Sequence, residues 1–321
     1  LSEKILIGTA QQCLISFGSN LGNRDSVISE AASLIAADVR VHQFAASRLF
    51  ETPPIGGPDG QEPFLNAVAA FETTASAAEV LVQLQTIEDR LGRLRRQRWG
   101  ARSIDLDVVL HGELIGGSRG LVVPHPRYTA RRFVLRPACD VAGHYRDPRF
   151  GWTLRQLADH LDAGVPSMAL VGSSEASRRE LCDRLARDAG LTIFDSPPIA
   201  KPRAVIGNAP AAMIQAPMDL PVEIPTTIDC PWVAAFVPKL PAADSDQAKC
   251  PSVPRLITRL QATEAKNRWP APHQMWPSSW DWPEYRLELD DMDWAFGEVV
   301  SAMQSMRCPL TPLTDDGNWW R

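Results

Sequence analysis

The sequence predicts an α+β domain followed by an α/β domain, and three observations carry that prediction. Apolar residues in the first half switch between period-two and helical spacing in the order β-α-β-β-α-β. In the second half a strand, a small-residue loop, a helix and another strand follow one another. Composition changes between the two as well. Residues 1–162 hold 18 basic and 18 acidic side chains, so the net charge of −5 falls wholly in the remainder. Only eight of the 27 prolines and two of the ten tryptophans precede residue 163. The segment LDAGVPS marks the boundary, giving domains 1–162 and 163–321.

Each element has a local cause. CLISF (13–17) is a short apolar strand running into the turn GSNLG. Val27, Ile28, Ala31, Leu34 and Ile35 recur at helical spacing over 24–37. Residues 39–50 read as one strand, followed by the loop ETPPIGGPDGQEP, stiffened by prolines and loosened by glycines. A connection that long is more often functional than idle. FLNAVAAF (64–71) is a strand pairing with the one before. Ser76 and Glu79 form a capping box for a helix through Leu91, and 103–110 is a strand predicted to be central. Thr153 caps a closing helix over 152–161. This order is the split βαβ arrangement of ferredoxin-like folds, which by itself names no function.

Bulk properties exclude several classes. No apolar run reaches the ~18 residues of a membrane span. LSEKILIGTAQQ, which opens on Leu1, lacks the layout of a signal peptide, and the expected location is cytoplasmic. Six scattered cysteines without a CxxC pair or zinc spacing read as reduced structural thiols. The acidic balance argues against nucleic acid.

The chemistry concentrates in GRLRRQRWGARSIDLD (92–107). Asp105 and Asp107 sit at i and i+2 of a strand and share one face, with Ile104, Leu106 and Val108 on the other. Acidic residues are depleted in strands, and two neighbouring like charges repel unless cations separate them. The plain alternative is a solvated strand face. Arg93, Arg95, Arg96, Arg98 and Arg102 crowd the same stretch. Runs of arginine are often solvated loops, but beside paired carboxylates in a neutral domain they suit divalent metal and a small polyphosphate. His125, between two prolines, is either a turn histidine or a presented imidazole. Phe64 and Phe133 are core residues by default. Asn66 is an amide in an apolar strand and needs partners, which a heterocycle could supply.

Seven pieces in order carry a likeness: GSNLG (18–22), Phe64-Leu-Asn66, Gln85 with Glu88 and Gly92-Arg93, Arg95, Trp99 with Arg102, Asp105 and Asp107, Pro124-His-Pro-Arg127, and Arg131 with Phe133-Val134. From about residue 13 to 162 they resemble 6-hydroxymethyl-7,8-dihydropterin pyrophosphokinase, a folate-biosynthesis enzyme. The resemblance implies transfer of pyrophosphate from ATP to the pterin hydroxymethyl group, with release of AMP. It implies that Asp105 and Asp107 hold two Mg2+ ions, with Arg93, Arg95 and Arg102 in the catalytic set. Thr52, Pro53, Phe64, Asn66 and Phe133 match the pterin site. Gln85, Glu88, Trp99, His125 and Arg131 match positions around ATP. Two departures touch the closing loops: the arginine loop is a residue short, and Gly120 follows Arg119 where an arginine is common.

The second half looks like a degenerate P-loop domain of the nucleoside- or nucleotide-kinase kind. Residues 168–171 read as a strand, 172–179 as a turn, then a helix to Ala189 and a strand over 191–194. Against G-x-x-x-x-G-K-[ST], Ser177 replaces the glycine, Arg178 the lysine and Arg179 the hydroxyl residue. The expectation is a non-catalytic domain. The alternatives are a second, nucleoside kinase activity, or a chain that is wholly a scaffold recruiting an unknown protein partner. Residues 238–254 read as a mobile linker. Trp269, Trp276, Trp280 and Trp282 form either a protein contact or a loop packed on its own domain.

Overall fold

The computed structural model describes residues 9–93, 101–118, 120–195, 224, 227–261, 280–289 and 291–321. The chain begins with β1 (Gln11–Ser19), α1 (Arg24–Ala36), β2 (Val41–Ala46), β3 (Phe50–Thr52), β4 (Phe64–Thr73), α2 (Ala77–Arg90) and β5 (Asp105–His111). The hairpin β6 (Gly116–Ser118) and β7 (Leu121–Val123) follows, then α3 (Arg132–Val141) and α4 (Leu154–Asp162). Next come β8 (Ser167–Gly172), α5 (Glu175–Ala189), β9 (Thr192–Phe194), β10 (Trp232–Ala234), β11 (Leu256–Gln261) and β12 (Glu284–Glu288). The last elements are α6 (Met292–Met306) and β13 (Thr311–Pro312).

The first half is an antiparallel α+β unit. Its sheet runs β13-β3-β4-β1-β5, with β2 also on β4. The expected single strand over 39–50 is two. Ser47 interrupts it, donating its N–H to the Val68 carbonyl at 2.8 Å while its Oγ accepts from the Val68 N–H at 3.0 Å. A second correction concerns β5. Among the described residues it pairs only with β1, which puts it at the edge of the sheet and not at its centre. A third is α3, which occupies a stretch the sequence left unassigned and carries Pro137 inside it. The two capping boxes are present, Ser76 with Glu79 and Thr153 with Gln156. Each satisfies N–H groups that a helix start leaves unpaired.

Side-chain alternation splits the sheet into two faces. Cys13, Ile15 and Phe17 of β1, with Leu106 and Val108 of β5, pack under α1 and α2 against Ile28, Ile35, Val80 and Leu84. The opposite face buries Leu14, Val68 and Leu110 under α3 and α4. Farther along, the same face carries Ser16, Gly18, Asn66, Asp105 and Asp107, and there it is open. One face of one sheet is therefore core at one end and a site at the other.

The second half is a five-stranded parallel sheet in the order β12-β11-β8-β10-β9. Its core is continuous with that of the first half. Trp152 and His160 stack edge-on against Trp282 at 5.2 Å and 5.1 Å, beside Met168 and Leu170. Trp282 is thus a core residue whose Nε1 donates to the Pro254 carbonyl at 2.9 Å. Trp269 and Trp276 lie outside the described residues. Segment 238–254 is packed: Ala248 is buried, and Trp232 Nε1 donates to the Pro251 carbonyl at 3.1 Å. Among the described residues no helix is long and apolar enough to cross a membrane.

After α6 the chain returns to the first sheet. Thr311 pairs with Glu51 and Pro312 with Phe50. Trp319 meets Phe17 at 6.3 Å and donates its Nε1 to the Ser47 carbonyl at 2.7 Å, while Trp320 meets Phe44 at 4.8 Å. Gly317 is needed for this approach, because a Cβ there would lie 1.8 Å from the Ala46 carbonyl oxygen.

Candidate active site

A cleft, open at its mouth, lies at the exposed end of that sheet face. Its floor is Ser16, Gly18 and Asn66. A Cβ on Gly18 would sit 3.6 Å from Asn66 Oδ1 and 3.9 Å from both Phe64 and Asp105, so any larger side chain there would occupy the cleft. Asn66 is buried and donates Nδ2 to Thr52 Oγ1 at 2.8 Å, which fixes the amide and directs Oδ1 toward the space above Gly18. Phe64 on β4 and Phe133 on α3 line the walls with Pro53, Ile55 and Val134. Each ring has an arginine near its face, Arg102 over Phe64 and Arg131 over Phe133, both at 5.9 Å.

The polar rim is built on β5. Asp105 pairs through Oδ1 with Arg93 at 2.6 Å and through Oδ2 with Arg102. Asp107 lies 3.3 Å from Arg131 and 3.8 Å from His125 Nε2. Both carboxylates are partly exposed, at 23% and 33%. Among the described residues four cationic or imidazole groups thus surround two carboxylates on one strand face. Oxygen donors with room for water and phosphate oxygens suit Mg2+, so the residues present fit that ion.

Two neighbours set the electrostatics. Glu88 on α2 is buried, and its Oε1 accepts from the Leu106 N–H at 2.8 Å and pairs with Arg93. Burial pushes its carboxyl up, opposed by the Leu106 hydrogen bond and Arg93. Glu88 therefore anchors Arg93 beside Asp105. His125 is held well below the ordinary imidazole range, first by burial and then by Arg131 and Arg127. Its Nδ1 accepts from the Arg127 N–H at 3.2 Å, so in the neutral ring Nε2 carries the proton and faces Asp107.

Of the residues expected from sequence, the structure brings Thr52, Pro53, Phe64, Asn66, Arg102, Asp105, Asp107, Arg131 and Phe133 to the cleft. Arg93, Glu88 and His125 stand behind its rim. Gln85, half-buried on α2, does not line it. Arg95 and Trp99 lie outside the described residues. Ser301 and Ser305 of α6 also line the cleft, and no sequence reading singled them out. The available signal was two hydroxyls at i and i+4 of a helix whose buried face is otherwise largely Ala, Val and Met.

Residues 14–143 match the family model for 7,8-dihydro-6-hydroxymethylpterin-pyrophosphokinase. The chain is 38% identical to the 2-amino-4-hydroxy-6-hydroxymethyldihydropteridine pyrophosphokinase of Bacillus subtilis (strain 168) over 40% of this chain and 75% of that protein. It is 34% identical to the Haemophilus influenzae protein of the same name over 46% of this chain and 92% of that one. It is also 37% identical to the folic acid synthesis protein fol1 of Pneumocystis carinii over 46% of this chain, but spans only 20% of that longer protein. The paired aspartates, the arginines and the aromatic cleft all lie within or beside these matched segments. The chain belongs to the 7,8-dihydro-6-hydroxymethylpterin-pyrophosphokinase family, and its N-terminal part is an ATP-using pyrophosphokinase domain of folate biosynthesis.

Proposed function

We propose that the cleft binds 6-hydroxymethyl-7,8-dihydropterin between Phe64 and Phe133 and that ATP lies along the β5 rim. The observation that carries this reading is the juxtaposition of Asp105 and Asp107 with Arg93, Arg102 and Arg131 at the mouth of an aromatic cleft. A flat heterocycle between two rings gains about 0.5–1.5 kcal/mol per stacked pair beyond burial. Asn66 Oδ1 and the Thr52 hydroxyl read its hydrogen-bonding edge. Asp105 and Asp107 would hold two Mg2+ ions, which when bound supply charge neutralisation along the triphosphate.

In the reaction the pterin hydroxymethyl oxygen attacks the β-phosphorus. The bond from that phosphorus to the oxygen bridging the α-phosphate breaks, AMP departs and the hydroxyl proton is released. Such transfer depends on in-line positioning and electrostatics more than on a strong base. Arg93, Arg102 and Arg131 neutralise phosphate oxygens, and the neutral His125 donates Nε2–H toward the same region. Arg95 and Trp99 belong to the closing loop in this reading, and Gln85 to the ATP side.

In this reading the antiparallel first sheet belongs to a ferredoxin-like domain over 1–162 and the parallel second sheet to a P-loop-like domain over 163–321; the strand orders support it. The second half has no catalytic role in this reading. Its helix α5 already begins at Glu175, capped by Ser174, whose Oγ accepts from the Ser177 N–H at 3.0 Å. Arg178, which stands at the P-loop lysine position, turns back to donate to the Gly172 and Ser173 carbonyls at 2.6 Å and 3.1 Å, so its charge is tied to the loop backbone. The test is AMP formation by the full chain from ATP, Mg2+ and the pterin. Pterin-dependent AMP supports the reading, and a phosphorylated nucleoside made by the same chain would overturn the non-catalytic assignment.

A further inference from the structure

We infer that the second half of the chain completes the pterin pocket, with Ser301 and Ser305 of α6 supplying hydroxyls that bind the pterin. This rests on the pterin reading of the cleft given above. Helix α6 presents Glu298, Ser301 and Ser305 along one stripe, at i, i+3 and i+7. Glu298 fixes the stripe against the first half, its Oε2 lying 2.6 Å from Arg127 Nε and accepting from the Tyr285 hydroxyl at 3.2 Å. Beyond the helix, the Cys308 carbonyl accepts from Arg132 Nη1 at 2.9 Å, and β13 pairs with β3, the strand that carries Thr52. The wall is therefore pinned on both sides of the cleft.

The two serines line this cleft together with Phe133 and Asn66. Ser305 is only 6% exposed, a polar side chain in the company of Ala302, Met303 and Met306. Among the described residues neither Ser301 nor Ser305 has a side-chain hydrogen-bond partner. Both hydroxyls therefore open onto the cleft without a protein partner and are available to a ligand that lies there. A pterin edge, rich in ring nitrogens and an amino group, offers both donors and acceptors. The triphosphate side of the cleft, on β5, is formed without α6.

The experiment measures pterin affinity by fluorescence titration, and KM for both substrates, in the full-length chain. The variants are the double substitution Ser301→Ala with Ser305→Ala, and Ser305→Leu. Loss of two hydrogen bonds should weaken pterin binding and raise its KM roughly tenfold, while the ATP KM stays within about twofold. The leucine, which protrudes into the cleft, should abolish pterin binding with ATP binding retained. Thermal unfolding of each variant reports folding, and the alanine pair favours helix. Wild-type pterin affinity in both variants would overturn this inference alone. A wild-type chain that does not bind the pterin at all would overturn it together with the reading of the cleft.

Discussion

Arg127, in the loop that follows β7, lies 2.6 Å from Glu298 of α6, an ion pair that joins the first half of the chain to the last helix. Glu298 is 3% exposed at its side chain, and Arg127 also lies over the Trp294 ring at 5.5 Å. Removing Glu298 leaves Arg127 partly buried without this partner, a loss below the about 3–5 kcal/mol of a fully buried pair because Arg127 keeps 26% of its side chain exposed. Glu298→Ala should therefore lower Tm clearly. The same change should raise the pterin KM more than the ATP KM, because α6 forms one wall of the cleft. A variant with wild-type Tm would show that the pair does not join the halves.

Phe133→Ala removes one face of the aromatic cleft. The expected outcome is a pterin affinity about 10- to 100-fold weaker, within the cost of truncating an aromatic that the ligand would cover, with ATP affinity changed much less. Equal loss of both would contradict the sandwich. Isothermal titration with each ligand separately reads the difference.

Stability should fall on acidification. Burial and the nearby Arg255 lower His160 to about 3, while its Nε2 bonds the Arg255 carbonyl at 3.1 Å. His125 shifts in the same direction. A histidine with a lowered folded pKa binds its proton more readily when unfolded, so stability is full above about pH 6.5 and declines below it. His160 alone contributes a loss of about 2 kcal/mol between pH 6.5 and pH 5. Denaturant titrations across pH 5–8 check this, and His160→Gln should flatten the slope.

Gly317→Ala should detach the C-terminal tail. The added methyl group meets the Ala46 carbonyl oxygen, a backbone atom that cannot step aside. Loss of the Trp319 and Trp320 contacts should appear as tryptophan fluorescence shifted to the red and faster proteolysis after Thr311. Unchanged fluorescence would show that the tail tolerates the methyl group.

Much of the site was legible because strand periodicity is local. Asp105 and Asp107 share a face whichever sheet they join, and Ser76 and Thr153 announce their helices within four residues. The position of β5 at the sheet edge was not legible, because an apolar strand flanked by helices reads alike at centre and edge. The break at Ser47 depends on its hydroxyl meeting Val68, a contact between strands. Least legible was the role of α6 and the tail. Thr311 pairs with Glu51 across the whole chain, and no local pattern encodes that return.

Whether Asp105 works in pyrophosphate transfer is read from AMP release by the full-length Asp105→Asn variant with ATP, Mg2+ and 6-hydroxymethyl-7,8-dihydropterin. Asp105 accepts from Arg93 and Arg102 and would hold metal, so the amide should remove metal-assisted positioning. The expected outcome is turnover reduced at least about 100-fold, as for loss of a principal electrostatic group, with the fold retained and pterin affinity near wild type. Near-normal AMP release by this variant would contradict it.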